Sequence, residues 1–266
     1  MSVIRPPLAR MLWAPGIRRH VARLPVLRRI YDGWARRHPF DVLLDTDTSG
    51  SVPAEICAPG MGQQISPYGG SQPSIVRRAL QALPEPARYA FIDIGCGKGR
   101  PLIVASELPF TRVTGVELSP ELAAVARDNA AAVGRRHGRR VPIDIQVGDA
   151  TIADAPADHV VYFLYHPFGG ALVQAFVRNL ERHLSLGVRH GFVVYYNPVH
   201  GEVMDESRKL ARWSADVWPY APEEIGFGPD LADTVVIWQT MPGRYAARPN
   251  ATRRIVVTGN KADLRD

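Results

Sequence analysis

Four short stretches carry the residues best suited to chemistry, each at the end of an apolar run. In "FIDIGCGKGR" (91–100), Asp93 precedes three glycines at alternate positions, Gly95, Gly97 and Gly99. Glu117 closes "RVTGVE", and Asp149 and Ala150 follow "VPIDIQVG". In "YFLYHPFGG" (162–170), Tyr165, His166 and Phe168 stand together. A glycine run lets the backbone come close to a nucleotide-like ligand. Acids at strand ends can hold hydroxyls, and a histidine can accept a hydrogen bond or a proton near neutral pH.

Spacing narrows the ligand. A phosphate-binding loop needs G-x-x-x-x-G-K-[ST], but Lys98 lies between glycines with no Ser or Thr after it. A dinucleotide loop needs G-x-G-x-x-G, and the position of its last glycine holds Arg100. The actual pattern is D-x-G-x-G-x-G.

The elements that must position these residues alternate. Apolar runs at 88–94, 112–118, 141–149, 158–165 and 190–197 read as strands. Helical segments at 101–108, 119–138 and 169–185 separate them, and a helix at 74–83 precedes the first. Ser119 and Pro120 suit the start of the second of these helices, with Gly134 or Gly138 at its end. Strand–helix alternation predicts an α/β fold: a Rossmann-like, doubly wound, seven-stranded sheet, mostly parallel. Runs at 234–240 and 253–259 are expected to close it as an antiparallel hairpin.

"DIGCGKG" resembles the first motif of class I S-adenosylmethionine-dependent methyltransferases. The resemblance covers about residues 88–200, and the chain is similar to bacterial methyltransferase-like proteins and, more distantly, to protein-lysine methyltransferases. It implies S-adenosyl-L-methionine as cofactor. Asp93, Gly95, Gly97 and Gly99 would face its methionine part, Glu117 its ribose hydroxyls, and Asp149 with the Ala150 backbone its adenine. Glu117 alone would serve NAD equally well.

Amino-directed members often carry [DN]-P-P-[YFW] after the fourth strand. Here Tyr165-His166-Pro167-Phe168 is similar, with His166 in the Asn place. The resemblance implies an amine acceptor, on a protein lysine or a small molecule. His166 then binds the substrate or acts as base, against a role capping the next helix. Phe168 walls the site, against simple core packing. Tyr195, Tyr196 and His200 in "YYNPVHG" border the next strand's end, where alternation lets at most one tyrosine face the site. The segment 68–83 resembles a Tyr-x-Pro-Ser/Thr lid, with Ser71 in the Tyr place and Tyr68 three residues earlier, against a plain helix entry. "TDTSG" (46–50) reads as a turn.

The chain has 266 residues, 46% hydrophobic and 22% charged, enough for one large core. Its organisation reads as a basic helical extension (1–45), a loop and helix lid (46–87) and a cofactor-binding domain (88–266). Residues 1–40 hold nine arginines and one aspartate, so the other 226 residues carry −2 of the overall +6. Three readings compete for this arm: packing on the domain through Leu27, Ile30, Tyr31 and Trp34, contact with an acidic lipid or nucleic-acid surface, or an organelle presequence. Cys57 and Cys96 make no disulfide framework, which points to a cytoplasmic compartment, peripheral at a membrane if the arm binds lipid. Arginine supplies 29 of the 32 basic residues, a bias associated with GC-rich bacteria. The spacing of His and Cys argues against a metal site. Two other readings compete with the methyltransferase: an NAD-type oxidoreductase, and a non-catalytic membrane-associated protein with a vestigial site. Arg100 argues against the first, and the acids at 93, 117 and 149 against the second.

Overall fold

The computed structural model describes residues 37–138, 140–154, 159–187, 190–228 and 230–266. The readings made for the arm at 1–36 lie outside the described residues. The chain enters through α1 (Pro39–Leu44), the short strand β1 (Ser51–Val52), α2 (Ala54–Cys57), β2 (Tyr68–Gly69) and α3 (Pro73–Ala82). The alternating part follows: β3 (Ala90–Ile94), α4 (Arg100–Ala105), β4 (Arg112–Glu117), α5 (Pro120–Arg136), β5 (Ile143–Val147), β6 (His159–Tyr165), α6 (Gly170–Leu186) and β7 (His190–Tyr196). It ends with α7 (Gly201–Glu206), β8 (Leu210–Pro219), β9 (Ala232–Thr240), β10 (Arg254–Thr258) and β11 (Lys261–Arg265).

Seven strands form one sheet in the order β5-β4-β3-β6-β7-β9-β8. The first five run parallel, and β9 is antiparallel to both its neighbours. Every residue of β3 and β7 is buried, as expected for strands covered on both faces. Alternation divides their side chains between two layers. Phe91, Phe163 and Phe192 pack with Ile75 and Leu102 on one face, and Ile92, Leu164 and Val193 with Phe176 on the other. The chain leaves β3 toward β4 and β5, then returns to place β6 on the opposite side of β3. That reversal opens a crevice beyond the carboxyl ends of β3 and β6, where open α/β sheets bind ligands.

Local chemistry sets the helix starts. Ser119 caps α5 by accepting from the Leu122 N–H (3.3 Å), with Pro120 in the first turn. Arg135 and Arg136 complement the helix's negative end, and it runs through Gly134.

The expected closing hairpin is present but built from other residues. The partner of β9 is β8, and 254–258 pairs instead with β11 in a separate two-stranded sheet. A bulge between Arg212 and Ser214 breaks the two-residue period of β8, so no alternation advertises it. Asn197, at φ 51°, accepts from the Ala262 N–H (2.8 Å) and donates to the Asn260 carbonyl (2.9 Å), tying the small hairpin to the end of β7.

Candidate functional site

The end of β3 and the loop after it form the floor of a cleft. Its glycines carry positive φ, and two of them are also approached closely. A Cβ on Gly97 would stand 2.4 Å from the Tyr68 ring, and one on Gly95 would stand 2.8 Å from Pro167. Only glycine allows both contacts. Gly99 caps α4 and faces Ala126 across the helix rather than the cleft.

Glu117, at the end of β4, is buried and anchored by the loop. Its Oε2 accepts from the Gly97 N–H (2.7 Å) and its Oε1 from the Ser119 N–H (2.9 Å). Burial raises its pKa, and these N–H donors oppose the rise. Asp93 is 1% exposed, and its Oδ2 has no hydrogen-bond partner. Burial, aided by the Glu117 charge, pushes its carboxyl well above the usual range. Asp149 lies beyond β5, and its Oδ1 accepts from the Thr151 N–H (2.8 Å) and hydroxyl (2.7 Å). Asp93, Gly95, Gly97, Glu117, Asp149 and Ala150 all border the cleft.

Tyr165, His166 and Phe168 border its other end. Tyr165 packs its ring 4.4 Å from Tyr196, and burial keeps its phenol protonated. His166 sits at φ 40°, a left-handed conformation. Its Nδ1 is buried without a partner, and its ring is 5.7 Å from His200. Burial, then the His200 charge, lower its pKa to about 4, so the ring is neutral at pH 7. Phe168 is buried and bridges to Ile65. Tyr196 turns away and donates to Asp233 (2.6 Å), and Tyr195 is buried in the opposite layer.

Residues 46–72 cross over this cleft as a strap. At one end Ser66 N–H donates to the Pro167 carbonyl (2.9 Å) and Gly169 N–H to Gln64 (2.8 Å). At the other, the Tyr68 ring covers Gly97 while its hydroxyl donates to the Thr48 carbonyl (2.7 Å). Cys57, Met61 and Ile65 of the strap add apolar lining that no motif announced. Ser74 lies past the strap, where its N–H (2.7 Å) and hydroxyl donate to Glu224.

"TDTSG" proves to be more than a turn. Asp41 is fully buried, and its carboxylate accepts from the Thr46 hydroxyl (2.8 Å), the Thr48 N–H (2.9 Å) and hydroxyl (2.6 Å), and the Ser49 hydroxyl. Arg100 joins this network, with Nε donating to Thr48 Oγ1 (2.7 Å), Nη2 to the Thr48 carbonyl (2.9 Å) and Nη1 to the Ser71 carbonyl (2.8 Å). Asn129 and Lys98 bind the same turn through Asp47. The hydroxyl-rich run after Asp41 was the available signal, but its partner Arg100 lies 52 residues from Thr48.

An amino-acid-bearing nucleoside fits these residues. The orphaned Oδ2 of Asp93 suits an ammonium, and Glu117 and Asp149 border the same cleft. Arg100, buried and fully engaged, stands where a dinucleotide loop needs its last glycine. Strand order, the D-x-G-x-G-x-G loop and the acids after β4 and β5 agree with the resemblance to class I S-adenosylmethionine-dependent methyltransferases. Comparison with known proteins agrees: residues 91–187 match the family described as methyltransferase domain. A protein-L-isoaspartate O-methyltransferase from Aeropyrum pernix is 38% identical over 95 residues, which are 35% of this chain and 33% of that protein. The chain thus matches about a third of that relative's length. Among solved structures, TrmN from Thermus thermophilus is similar at TM-score 0.46 and 16% identity, covering 64% of this chain and 49% of that one. An RNA methyltransferase from Salinibacter ruber, in complex with S-adenosyl-L-homocysteine, is similar at TM-score 0.40 and 24% identity, covering 66% and 95%. Among the described residues, no group of three or more His, Cys, Asp or Glu could hold a metal ion, and no helix is long and apolar enough to cross a membrane.

Proposed function

We propose that this protein transfers a methyl group from S-adenosylmethionine to an amine nitrogen, of a protein lysine or a small molecule, seated between His166 and Phe168. The observation that carries the reading is the buried, unpartnered carboxyl of Asp93 in a cleft shared with Glu117 and Asp149. The bound cofactor supplies an activated methyl on a sulfonium centre.

The chain's residues do the rest by position. Asp93 binds the ammonium, Glu117 the ribose, and Asp149 with the Ala150 N–H the adenine. At the acceptor end, neutral His166 offers a ring nitrogen to an N–H of the incoming amine and so orients its lone pair. A ring with a pKa near 4 is a poor general base at pH 7, so the amine arrives neutral and its surplus proton leaves to water after transfer. Phe168, Ile65 and Met61 exclude water from the path. Residues 46–87 act as the lid over this site. Residues 1–40 are assigned to contact with an acidic surface, which liposome pelleting of full-length protein against a chain lacking residues 1–40 would test.

The test is calorimetric titration with S-adenosylmethionine, S-adenosylhomocysteine and NAD. Micromolar binding of the adenosyl ligands is expected, lost by at least tenfold in Glu117→Ala, with no heat from NAD. Heat from NAD alone would make the oxidoreductase the better reading. Incubation with labelled cofactor, a cell extract and separate amine pools, read by mass spectrometry, then tests the acceptor. Label on oxygen or carbon alone would exclude the amine.

A further inference from the structure

Three buried polar atoms bordering the cleft have no partner: His166 Nδ1 at the acceptor end, Asp93 Oδ2 on β3 and Ser71 Oγ on the strap. Ser71 is 2% exposed, so bulk solvent is kept from its hydroxyl. An amino acid carries an ammonium and a carboxylate on one carbon. A site for it needs an accepting wall and a donating wall, and Asp93 supplies only the first.

The donating wall is built around Arg100. Among the described residues bordering the cleft it is the only Arg or Lys. Its Nη1 donates to the Ser71 carbonyl (2.8 Å), while Thr48 takes its Nε and Nη2, so the strap's main chain is fixed against the guanidinium. Gly70 lies directly on that guanidinium, where a Cβ would stand 2.6 Å from Cζ. Ser71 is therefore held by its backbone while its hydroxyl stays uncommitted beside the cleft.

We propose that Ser71 Oγ donates a hydrogen bond to the carboxylate of the cofactor's amino-acid end, with Arg100 as the positioning residue behind it. This rests on the cofactor reading above. The arrangement places a neutral donor in front of a charge already balanced by Asp41, so the strap recognises the carboxylate without burying an unpaired cation.

The experiment compares S-adenosylhomocysteine with its decarboxylated analogue, which keeps the nucleoside, thioether and ammonium. Binding is measured by calorimetry on wild type, Ser71→Ala and Ser71→Thr. Wild type should prefer the carboxylated ligand. Ser71→Ala should weaken it about tenfold, as for loss of a charge-assisted bond, and leave the analogue within twofold. Ser71→Thr, which keeps the hydroxyl, should retain the preference. The ligand-free melting temperature of Ser71→Ala should be unchanged or higher, because no bond is removed. Equal affinity of wild type for both ligands, or equal loss of both in Ser71→Ala, would overturn the assignment while leaving the cofactor reading intact. Binding of neither ligand by wild type would overturn both.

Discussion

The guanidinium of Arg100 lies 3.7 Å from the carboxylate of Asp41, both fully or nearly fully buried, with Thr48 hydrogen-bonded to each. One residue opens the helix after the glycine loop, and the other sits in α1, directly before the strap, and holds its Thr48 and Ser49. The pair therefore joins the floor of the cleft to its cover.

Breaking that pair from one side should be costly. Arg100→Met leaves Asp41 buried without its cation and should destabilise the protein by about 3–5 kcal/mol, read by urea denaturation at pH 7. A change under 1 kcal/mol would mean that the hydroxyls of Thr46, Thr48 and Ser49 already satisfy Asp41.

Asp93 should show a conflict between stability and binding. Its folded-state pKa is raised, so its contribution is fully present below the unfolded value and is lost as pH rises through the folded one. Asp93→Asn removes that loss. The ligand-free variant should gain about 1–3 kcal/mol at pH 8 relative to wild type, and nothing at pH 3.5, while its affinity for S-adenosylhomocysteine falls. Thermal melting across pH checks the first part and calorimetry the second.

His166 combines a left-handed backbone with an accepting nitrogen, and Asn satisfies both. His166→Asn should keep methyl transfer within about tenfold of wild type. His166→Ala should lose more, and should also cost about 1–2 kcal/mol of stability from the left-handed conformation. Because the His166 pKa is near 4, the rate should show no inflection from this ring between pH 5 and 8. Steady-state assays of the three proteins across pH would check these points.

His38 gives a separate acid sensitivity. Its Nδ1 accepts from the Phe40 N–H (3.1 Å) and its Nε2 faces Gln72 (3.2 Å). Burial, then the Arg100 charge, lower its pKa to about 4. The unfolded chain binds this proton first, so stability falls as pH drops from about 6.5 toward 4. In His38→Asn, which keeps a capping oxygen, the fall over that window should be shallower. Comparing two proteins with the same carboxylates isolates the histidine.

The amino-acid order alone determined the alternating half of the molecule. Strands buried on both faces read as unbroken apolar runs. The glycines, Glu117 and Asp149 follow those runs directly, so local period and spacing located one side of the cleft. The same signals failed at β8, where a bulge hides the alternation, and at 253–259, whose apolar run pairs within a small hairpin. Only the tertiary structure decided that Asp41, Thr48, Ser71 and Arg100 meet, that Tyr68 covers Gly97, that Asp93 and Ser71 keep unpaired atoms, and that His166 is neutral. Each of these depends on burial and on partners distant along the chain, and hydrogen bonding across such distances leaves no periodic trace in the sequence.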